Sequence, residues 1–367
     1  MYRHDQRAVM TLDAGGTNFV FSAIRGNQDI VTPVCCPAVS DNLEECLAAL
    51  QRGFSLVKEQ LDDEPVAISF AFPGPADYKN GVIGDLPNFP VFRGGVALGS
   101  FLEEKFGIPV FINNDGNLFA YGEALAGILP SVNEELEAAG NPKRYKNLLG
   151  ITLGTGFGAG VVIDNCLLTG DNGCGGDVWI MRNKKYTDLI AEESVSIRAV
   201  RRVYSELSGE KVGELTPKDI CDIAEGVREG NREAALKSFD ELGEMAGAAI
   251  VSALHIMDGM VVIGGGVAGA AKYILPGMMR EMRRSISTFA GREFNCLQME
   301  VCNLMEASEH KRFLENTSSW VQVPFTDKKV PYDCTKRIGV AISTLGANKA
   351  IALGAYAFAL QQIDKKI

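Results

Sequence analysis

An aspartate, two glycines and two small polar residues stand together in Asp13-Ala14-Gly15-Gly16-Thr17-Asn18, directly after the apolar run Val9-Met10-Thr11-Leu12. A second apolar run, Phe19 to Ile24, leaves the turn. Glycine lets a backbone fold tightly and approach an anion closely. Consecutive N–H groups exposed in such a turn form an anion-binding concavity. Thr17 and Asn18 add side-chain donors, and Asp13 is placed to hold a metal ion through water. The set reads as a phosphate grip and points to nucleotide chemistry. The same residues also suit an ordinary Asp-Gly-type hairpin turn.

A later stretch repeats this grammar. Leu148 to Leu153 is apolar, Gly154-Thr155-Gly156-Phe157-Gly158-Ala159-Gly160 is a glycine-rich turn, and Val161-Val162-Ile163 leaves it. Asp164-Asn165 then turns into Cys166-Leu167-Leu168, as Gly26-Asn27 turns the chain after the first motif. The echo predicts two related lobes, each offering a phosphate-binding hairpin, with a nucleotide between them.

Asn113-Asn114-Asp115 follows the apolar run Val110-Phe111-Ile112 and precedes a helical stretch, Leu118 to Ala126, closed by Gly127. Ligands of α/β folds gather at the carboxyl ends of strands. An aspartate near a helix N-terminus is held ionised by the helix dipole. Such a carboxylate accepts a proton from a hydroxyl as that oxygen attacks phosphorus, and Asn114 is placed to fix the neighbouring hydroxyl. Aspartate is also among the best helix caps, and the residues alone leave both roles open for Asp115. Pro87-Asn88-Phe89-Pro90 is a rigid turn presenting an amide, which donates and accepts and so suits a sugar diol. An asparagine that merely makes a turn reads the same way. Gly74 sits in Pro73-Gly74-Pro75, where a backbone can touch a ligand. Gly264-x-Gly266-x-x-Gly269 follows Val261-Val262-Ile263 and matches a dinucleotide fingerprint letter for letter. No clear βαβ unit or ribose-binding acid follows it, so a glycine turn that lets a nucleoside lie flat is the preferred reading.

The elements that must position these residues alternate between strands and helices, which makes the class α/β. Ser40 or Asp41 is expected to cap a helix whose apolar positions include Leu43, Cys46, Leu47, Leu50, Phe54 and Val57. Val66 to Phe72 reads as a buried strand that Pro73-Gly74-Pro75 must stop. Glu134 to Lys146 reads as a charged surface insertion, and Ser205 to Lys237 as polar and mostly helical. The apolar stretch Ala246 to Ala271 is broken by glycines and reads as a helix and a buried strand, not a membrane span. Ser287 to Lys336 has weak periodicity and receives no assignment. Gly346 to Leu360 is a small-residue helix suited to close packing on the first lobe.

The chain of 367 residues is 46% apolar and 22% charged, as expected of a soluble globular protein of roughly two domains. A net charge of −10 argues against a nucleic-acid surface. Nine cysteines form no C-x-x-C pair, and three isolated histidines make a histidine-rich metal site an unfavoured reading. Free thiols and a mixed, charged start without a signal peptide predict the cytoplasm.

Taken in order, these residues resemble the ROK family of bacterial sugar kinases, within the actin/hexokinase superfamily. The resemblance rests on Asp13 to Thr17, Pro87-Asn88, Asn113-Asn114-Asp115, Leu153 to Gly160, Gly264-Gly265-Gly266 and Leu345-Gly346 to Gly354-Ala355. It implies a two-lobed actin/hexokinase-like (ribonuclease H-like) fold with nucleotide and sugar in the interlobe cleft. The lobes would be residues 1–118 plus 346–367, and 119–345. It further implies ATP-dependent phosphorylation of a hexose or N-acetylhexosamine hydroxyl, usually the 6-hydroxyl, with Asp115 as catalytic base. Asp13, Gly15, Gly16, Thr17 and Asn18, with Gly154, Thr155, Gly156 and Gly158, would hold the phosphates, and Asp13 would hold Mg²⁺ through water. Gly264, Gly265 and Gly266 would flank the adenosine. Gly74, Asn88, Asn114 and Asp115 would meet the sugar, as would Asp177 and Glu192, the latter with Glu193 as neighbouring competitor. A homodimer is the family habit.

The chain departs from the family in one strip. Gly176-Asp177-Val178-Trp179-Ile180 stands where family members carry Gly-Glu-Ile-Gly-His, and Arg182 to Thr187 replaces a cysteine-rich zinc segment. No structural zinc is therefore expected. Trp179 either fills the vacated volume, the favoured reading, or stacks on a sugar. Family repressors carry a DNA-binding domain before the first phosphate loop, and the twelve residues before Asp13 are too few for one. A sugar-binding or regulatory protein without catalysis is the alternative function.

Overall fold

The computed structural model describes residues 1–15, 18–74, 76–84 and 90–365. The chain divides into two compact units: Met1–Gly127 with Gly160–Gly176 and Leu345–Ile367, and Ile128–Ala159 with Asp177–Thr344. The sequence-derived boundaries lay at 118/119 and 345/346; here the rest of the third helix and residues 160–176 group with the first unit. Close backbone packing accounts for the second of these. A Cβ at Gly160 would meet the carbonyl oxygen of Gly116 at 2.5 Å.

The first unit begins with β1 (Val9–Ala14), β2 (Asn18–Arg25), β3 (Gln28–Asp29) and β4 (Val34–Pro37). Helix α1 (Leu43–Lys58), β5 (Ala67–Ala71), a short hairpin of β6 (Ala76–Asp77) and β7 (Val82–Ile83), α2 (Leu98–Phe106), β8 (Val110–Asn113) and α3 (Asp115–Ala126) follow. The main sheet has the order β3-β2-β1-β5-β8, with β4 on β2. Strands β1, β5 and β8 run parallel, in registers Leu12↔Phe70 and Ala71↔Asn113. Their carboxyl ends therefore lie along one edge and carry Asp13, Phe72 to Gly74, and Asn113 to Asp115.

Both turns read as hairpins in the sequence have the mirror-image geometry that suits a two-residue loop. Gly26 and Asn27 have φ 58° and 67°, and Asp164 and Asn165 have φ 51° and 61°. Helix α1 is capped by Asn42, whose side chain accepts the Glu45 N–H at 3.2 Å, one residue beyond the expected Ser40 or Asp41. Its apolar face packs on β2, where Phe54 meets Phe21 edge-on at 5.0 Å.

The second unit contains α4 (Ile128–Ala138), an amphipathic helix burying Leu129, Val132 and Leu136, whose end takes in residues 134–138 of the expected charged insertion. After it come β9 (Leu148–Leu153) and β10 (Phe157–Ile163), which from Gly160 on is grouped with the first unit, as is β11 (Cys166–Leu167). Then follow α5 (Ile197–Ser208), α6 (Pro217–Glu225), α7 (Arg232–Met257), β12 (Met260–Gly264) and α8 (Ala271–Met282). The remainder is β13 (Ser285–Ser287), β14 (Glu293–Asn295), β15 (Glu300–Asn303), α9 (Ala307–Leu314), β16 (Ser319–Gln322), β17 (Lys329–Tyr332) and β18 (Arg337–Ile342). The sheet order is β10-β9-β12-β18-β15, with β11 paired onto the far end of β10. Strands β9, β12, β18 and β15 are parallel. The apolar stretch from Ala246 resolves into the end of α7 and the wholly buried β12. No helix among the described residues is long and apolar enough to cross a membrane.

The terminal helix α10 (Ala347–Lys365) returns to the first unit and crosses α3 at glycines. A Cβ at Gly122 would run into the Ala350 carbonyl, and one at Gly354 into the Leu118 carbonyl. Two backbones in contact leave no room for even a methyl group. Overpacking of this kind typically costs about 1–3 kcal/mol. Gly122→Ala is expected to lose at least that much stability in urea unfolding, whereas Gly107→Ala, with no atom near its Cβ position, is expected to pay only the left-handed backbone penalty at φ 68°.

Candidate active site

One group of the candidate residues is built at the carboxyl edge of the first sheet. Asn113 ends β8 almost wholly buried, and its Oδ1 accepts the Asn114 N–H at 2.8 Å and Asn117 Nδ2 at 3.0 Å. Its carbonyl accepts the Phe72 N–H at 3.0 Å, which ties the ends of β5 and β8 together. The sequence reading passed over Asn113 as strand end; its only signal was the run of three amide and acid residues.

Asn114 is the N-cap of α3. Its side-chain oxygen accepts the Gly116 N–H at 2.8 Å. Asp115 is thus the first helical residue and not the cap residue. One carboxylate oxygen also accepts from Gly116 N at 2.8 Å. No hydrogen bond within the described residues engages the other. Asp115 stays open to solvent, yet the protein around it withholds part of its hydration, and this burial pushes its carboxyl above the ordinary value against the opposing backbone N–H bonds.

Asp13 ends β1 on the same edge, exposed and without an ion pair among the described residues, and burial of its surroundings raises its carboxyl too. Gly15 packs under the Asn18 carbonyl, where a Cβ would stand at 2.9 Å. Asn18 opens β2 with its side chain exposed. Gly74 is held beside Tyr78, whose hydroxyl donates to the Phe72 carbonyl at 2.9 Å. Gly16, Thr17 and Asn88 lie outside the described residues.

The second unit brings another group together at the ends of β9 and β12. The Gly154 N–H donates to the Gly156 carbonyl at 3.1 Å, closing the loop around exposed Thr155. Gly264 pairs with Thr152, which sets Gly264-Gly265-Gly266 beside that loop. Gly265 has φ 89°, and a Cβ on it would meet the Leu153 backbone nitrogen at 2.7 Å, so no other residue fits there. Gly154 and Gly266 face open space instead. Gly158 lies within β10, next to the loop.

Glu192 belongs to this group. Its Oε2 accepts the Phe157 N–H at 3.0 Å, and a Cβ on Gly156 would stand 2.6 Å from that oxygen. Its Oε1 accepts from Arg198 at 3.2 Å, and Glu193 shares the same guanidinium at 2.8 Å. The carboxylate that sequence alone ranked above Glu193 is therefore the one fastened to the glycine loop. Asp177 is exposed and caps nothing. Trp179 and Ile180 are 38% and 56% exposed, so neither fills a core.

The strip that departs from the family is organised by a residue the sequence did not single out. Asn183 is 2% exposed, and all four hydrogen-bonding positions of its amide are used. Oδ1 accepts the N–H groups of Lys185 and Tyr186, both at 3.0 Å. Nδ2 donates to the Ile190 carbonyl at 3.2 Å and to Ser194 Oγ at 2.8 Å. The backbone closes the same loop, Asn183 N–H to Leu189 O at 3.0 Å and Ala191 N–H to Met181 O at 2.7 Å. One side chain thus fixes the turn at residues 191–194 that carries Glu192. Among the described residues no three His, Cys, Asp or Glu side chains are grouped to hold a metal ion.

The family model for ROK matches residues 9–311. The chain belongs to the ROK family. It is 61% identical to a glucokinase of Parabacteroides distasonis of known structure, over 98% of this chain and 99% of that one, with a TM-score of 0.90. A glucokinase of Thermotoga maritima is 29% identical over 74% of this chain and 85% of its own length. A ROK family glucokinase from Streptomyces griseus, solved with glucose and AMPPNP, shares the fold at 20% identity and a TM-score of 0.61, over 96% of this chain and 99% of that one. The α/β fold is that of the ROK hexokinases, and this ROK chain is an enzyme, a sugar kinase.

Two predictions follow from the geometry of these half-sites. A carboxyl raised in the folded state binds its proton more tightly there than when unfolded, so its ionisation costs stability as pH rises from the ordinary aspartate value through the raised one. Asp115→Asn is therefore expected to melt higher than the parent at neutral pH, with the gain shrinking as the pH falls through the raised value and gone below the ordinary one. Asn183→Ala takes this partner from the Ser194 hydroxyl and from the N–H groups of Lys185 and Tyr186, and leaves the Ile190 carbonyl with the Glu193 N–H alone, at about 1–3 kcal/mol for a buried group. Its melting temperature should drop and its KM for nucleotide rise, because the glycine loop loses its brace.

Proposed function

We propose that this sugar kinase transfers the terminal phosphoryl group of ATP to the 6-hydroxyl of glucose or a closely related hexose, with Asp115 as general base. The observation that carries this reading is the cap at Asn114, which leaves Asp115 ionisable and with one oxygen unengaged on the strand edge that also bears Asp13. The hydroxyl proton passes to Asp115 as the sugar oxygen bonds to phosphorus and the bond to ADP breaks. Phosphoryl transfer needs positioning and charge neutralisation more than covalent help. A raised carboxyl is a better proton acceptor than an ordinary one, at the cost of needing a higher pH to be ionised. Asn114, Gly74 and Asn88 are read as sugar contacts, together with Asp177 and Glu192. The family's relatives of known name support glucose as the first sugar to try.

The loops at Asp13 to Asn18 and Gly154 to Gly158, with Gly264 to Gly266, are read as the nucleotide site. Gly154 and Gly266 support this, since no neighbouring protein atom demands glycine there and a ligand pressed against the backbone would. Mg²⁺ is commonly held by one or two carboxylates together with substrate phosphates, and the exposed, unpaired Asp13 fits that role. When bound, the ion would neutralise charge on the phosphates. The nine cysteines are all free, as suits a reducing cytoplasm, and the net charge of −10 speaks against a nucleic-acid partner.

A coupled ADP-release assay with MgATP over glucose, mannose and N-acetylhexosamines tests the proposal. Turnover is expected with glucose, falling by roughly 10²–10⁴-fold in Asp115→Ala, the usual worth of a general base. The acid limb of kcat/KM should lie above the ordinary aspartate range. An unchanged rate in the variant would remove Asp115 from the chemistry, and no ADP release with any sugar would favour the non-catalytic alternative.

A further inference from the structure

Two lysines at the tip of the loop that carries Glu192 reach out of it onto the helices α7 and α8. Lys184 Nζ lies 2.6 Å from Glu281 Oε2 on α8 and 2.7 Å from Glu244 Oε1 on α7. Lys185 Nζ lies 2.7 Å from Glu241 Oε2, also on α7. Glu281 is buried, at 4% exposed, and its other oxygen accepts from Arg284 Nε at 2.7 Å. A glutamate is almost never fully buried unless it is paired, and removing one partner of a buried pair is strongly destabilising. Lys184 is therefore held more firmly than the partners of exposed pairs such as Lys237 with Glu233. The helices that supply these carboxylates cross in backbone contact. A Cβ on Gly243 would run into the Ile274 carbonyl, and one on Gly277 into that of Asp240. Arg280 of α8 adds an ion pair to Asp240 of α7 at 2.7 Å. The two helices form one stiff base, and neither carries a candidate site residue.

Two supports of the glycine loop lead back to this base. One is Glu192, which accepts the Phe157 N–H from a loop whose tip is Lys184 and Lys185. The other is α5, whose first N–H, at Ile197, donates to the Gly154 carbonyl at 2.9 Å. Arg202 of α5 stands 3.8 Å from Glu241 and 5.3 Å over the Tyr186 ring, so α5 meets the same loop and the same helix. We propose that Lys184 and Glu281 are positioning residues for nucleotide binding: their ion pair pins the Glu192 loop to α7 and α8 and so holds the glycine loop at Gly154 to Gly158 in its binding shape. The proposal rests on the reading of that loop as part of the nucleotide site. Asn183 closes the Glu192 loop upon itself, whereas Lys184 sets where the closed loop stands. A loop left to float must be ordered by the ligand, and that ordering weakens binding. The pair therefore acts on nucleotide affinity and not on the chemical step.

Titration calorimetry of the full chain with MgATP, which needs no turnover, tests this beside thermal melts and hydrogen exchange. Lys184→Met keeps the aliphatic stem and loses the charge. It is expected to raise the Kd for MgATP about 3- to 30-fold, the range for a residue acting through a contact network, and to leave kcat with glucose at saturating ATP near the parent value. Lys184→Arg should keep most of the parent affinity. The double variant Lys184→Met with Glu281→Gln should melt above Lys184→Met, because no carboxylate is then buried short of a cation, and yet bind MgATP as weakly. Amides of Phe157 and Ala191 in the unliganded protein should exchange faster in Lys184→Met than in the parent. An affinity that follows melting temperature across these variants, or that stays at the parent value in Lys184→Met, would overturn the proposal. Exchange separates the two causes of an unmoved affinity. Unchanged exchange at Phe157 and Ala191 would mean that the ion pair positions nothing. Faster exchange would mean that the glycine loop is not a nucleotide loop.

Discussion

One hydrogen bond, from the Gly116 N–H to the side chain of Asn114, sets where helix α3 begins and leaves Asp115 in its first turn. A helix starting at the end of a buried parallel strand needs a cap for its unpaired N–H groups. Had Asp115 supplied it as the cap residue, its carboxylate would have been a structural group with a lowered pKa. With Asn114 in that place, Asp115 moves into the first turn and keeps one oxygen unengaged. Burial then dominates its ionisation and pushes it the other way. Asn113 makes the arrangement rigid, because it joins β8 to the end of β5 and holds the Asn114 backbone at once.

The fold supplies this turn with an unyielding base. Helix α3 cannot slide against α10, since glycine carries their backbones into contact at Gly122 and Gly354. Aromatic rings fill the other side of the sheet, with Phe21 on Phe54 at 5.0 Å and Phe72 on Phe92 at 5.3 Å. Close-packed interiors transmit displacement and do not absorb it. The position of Asp115 is thus set by contacts far from any ligand.

What the sequence revealed was what local chemistry determines. The glycine loop at Gly154, the two mirror-image hairpin turns and the strand preceding Asn113 depend on neighbours in the chain, and all were legible. The cap was not, because Asn114 and Asp115 are both good caps and only the backbone geometry separates them. Asn183 was invisible for a different reason. Its partners are scattered over residues 185–194 in a loop without periodicity, and a buried asparagine looks like any turn asparagine until its four bonds are seen. Residues 287–336 resisted assignment because hairpins exposed on both faces need no alternation of apolar and polar positions. The charged run at Glu134 concealed helix α4 because two of its three buried residues, Leu129 and Val132, lie before that run.

The Asn183 network also explains how the departed strip remains ordered. A structural zinc ion contributes apparent binding energies of about 10–16 kcal/mol to folding, whereas four hydrogen bonds at about 0.5–1.5 kcal/mol each contribute far less. An amide hub therefore holds its loop more loosely than a metal would, and it depends on cooperation with the backbone bonds at Met181 and Leu189. Glu192 sits on that loop and grips the glycine turn through Phe157. The turn at Gly154 and the carboxylate at residue 192 consequently move together. Both share a single hydrogen-bonded frame.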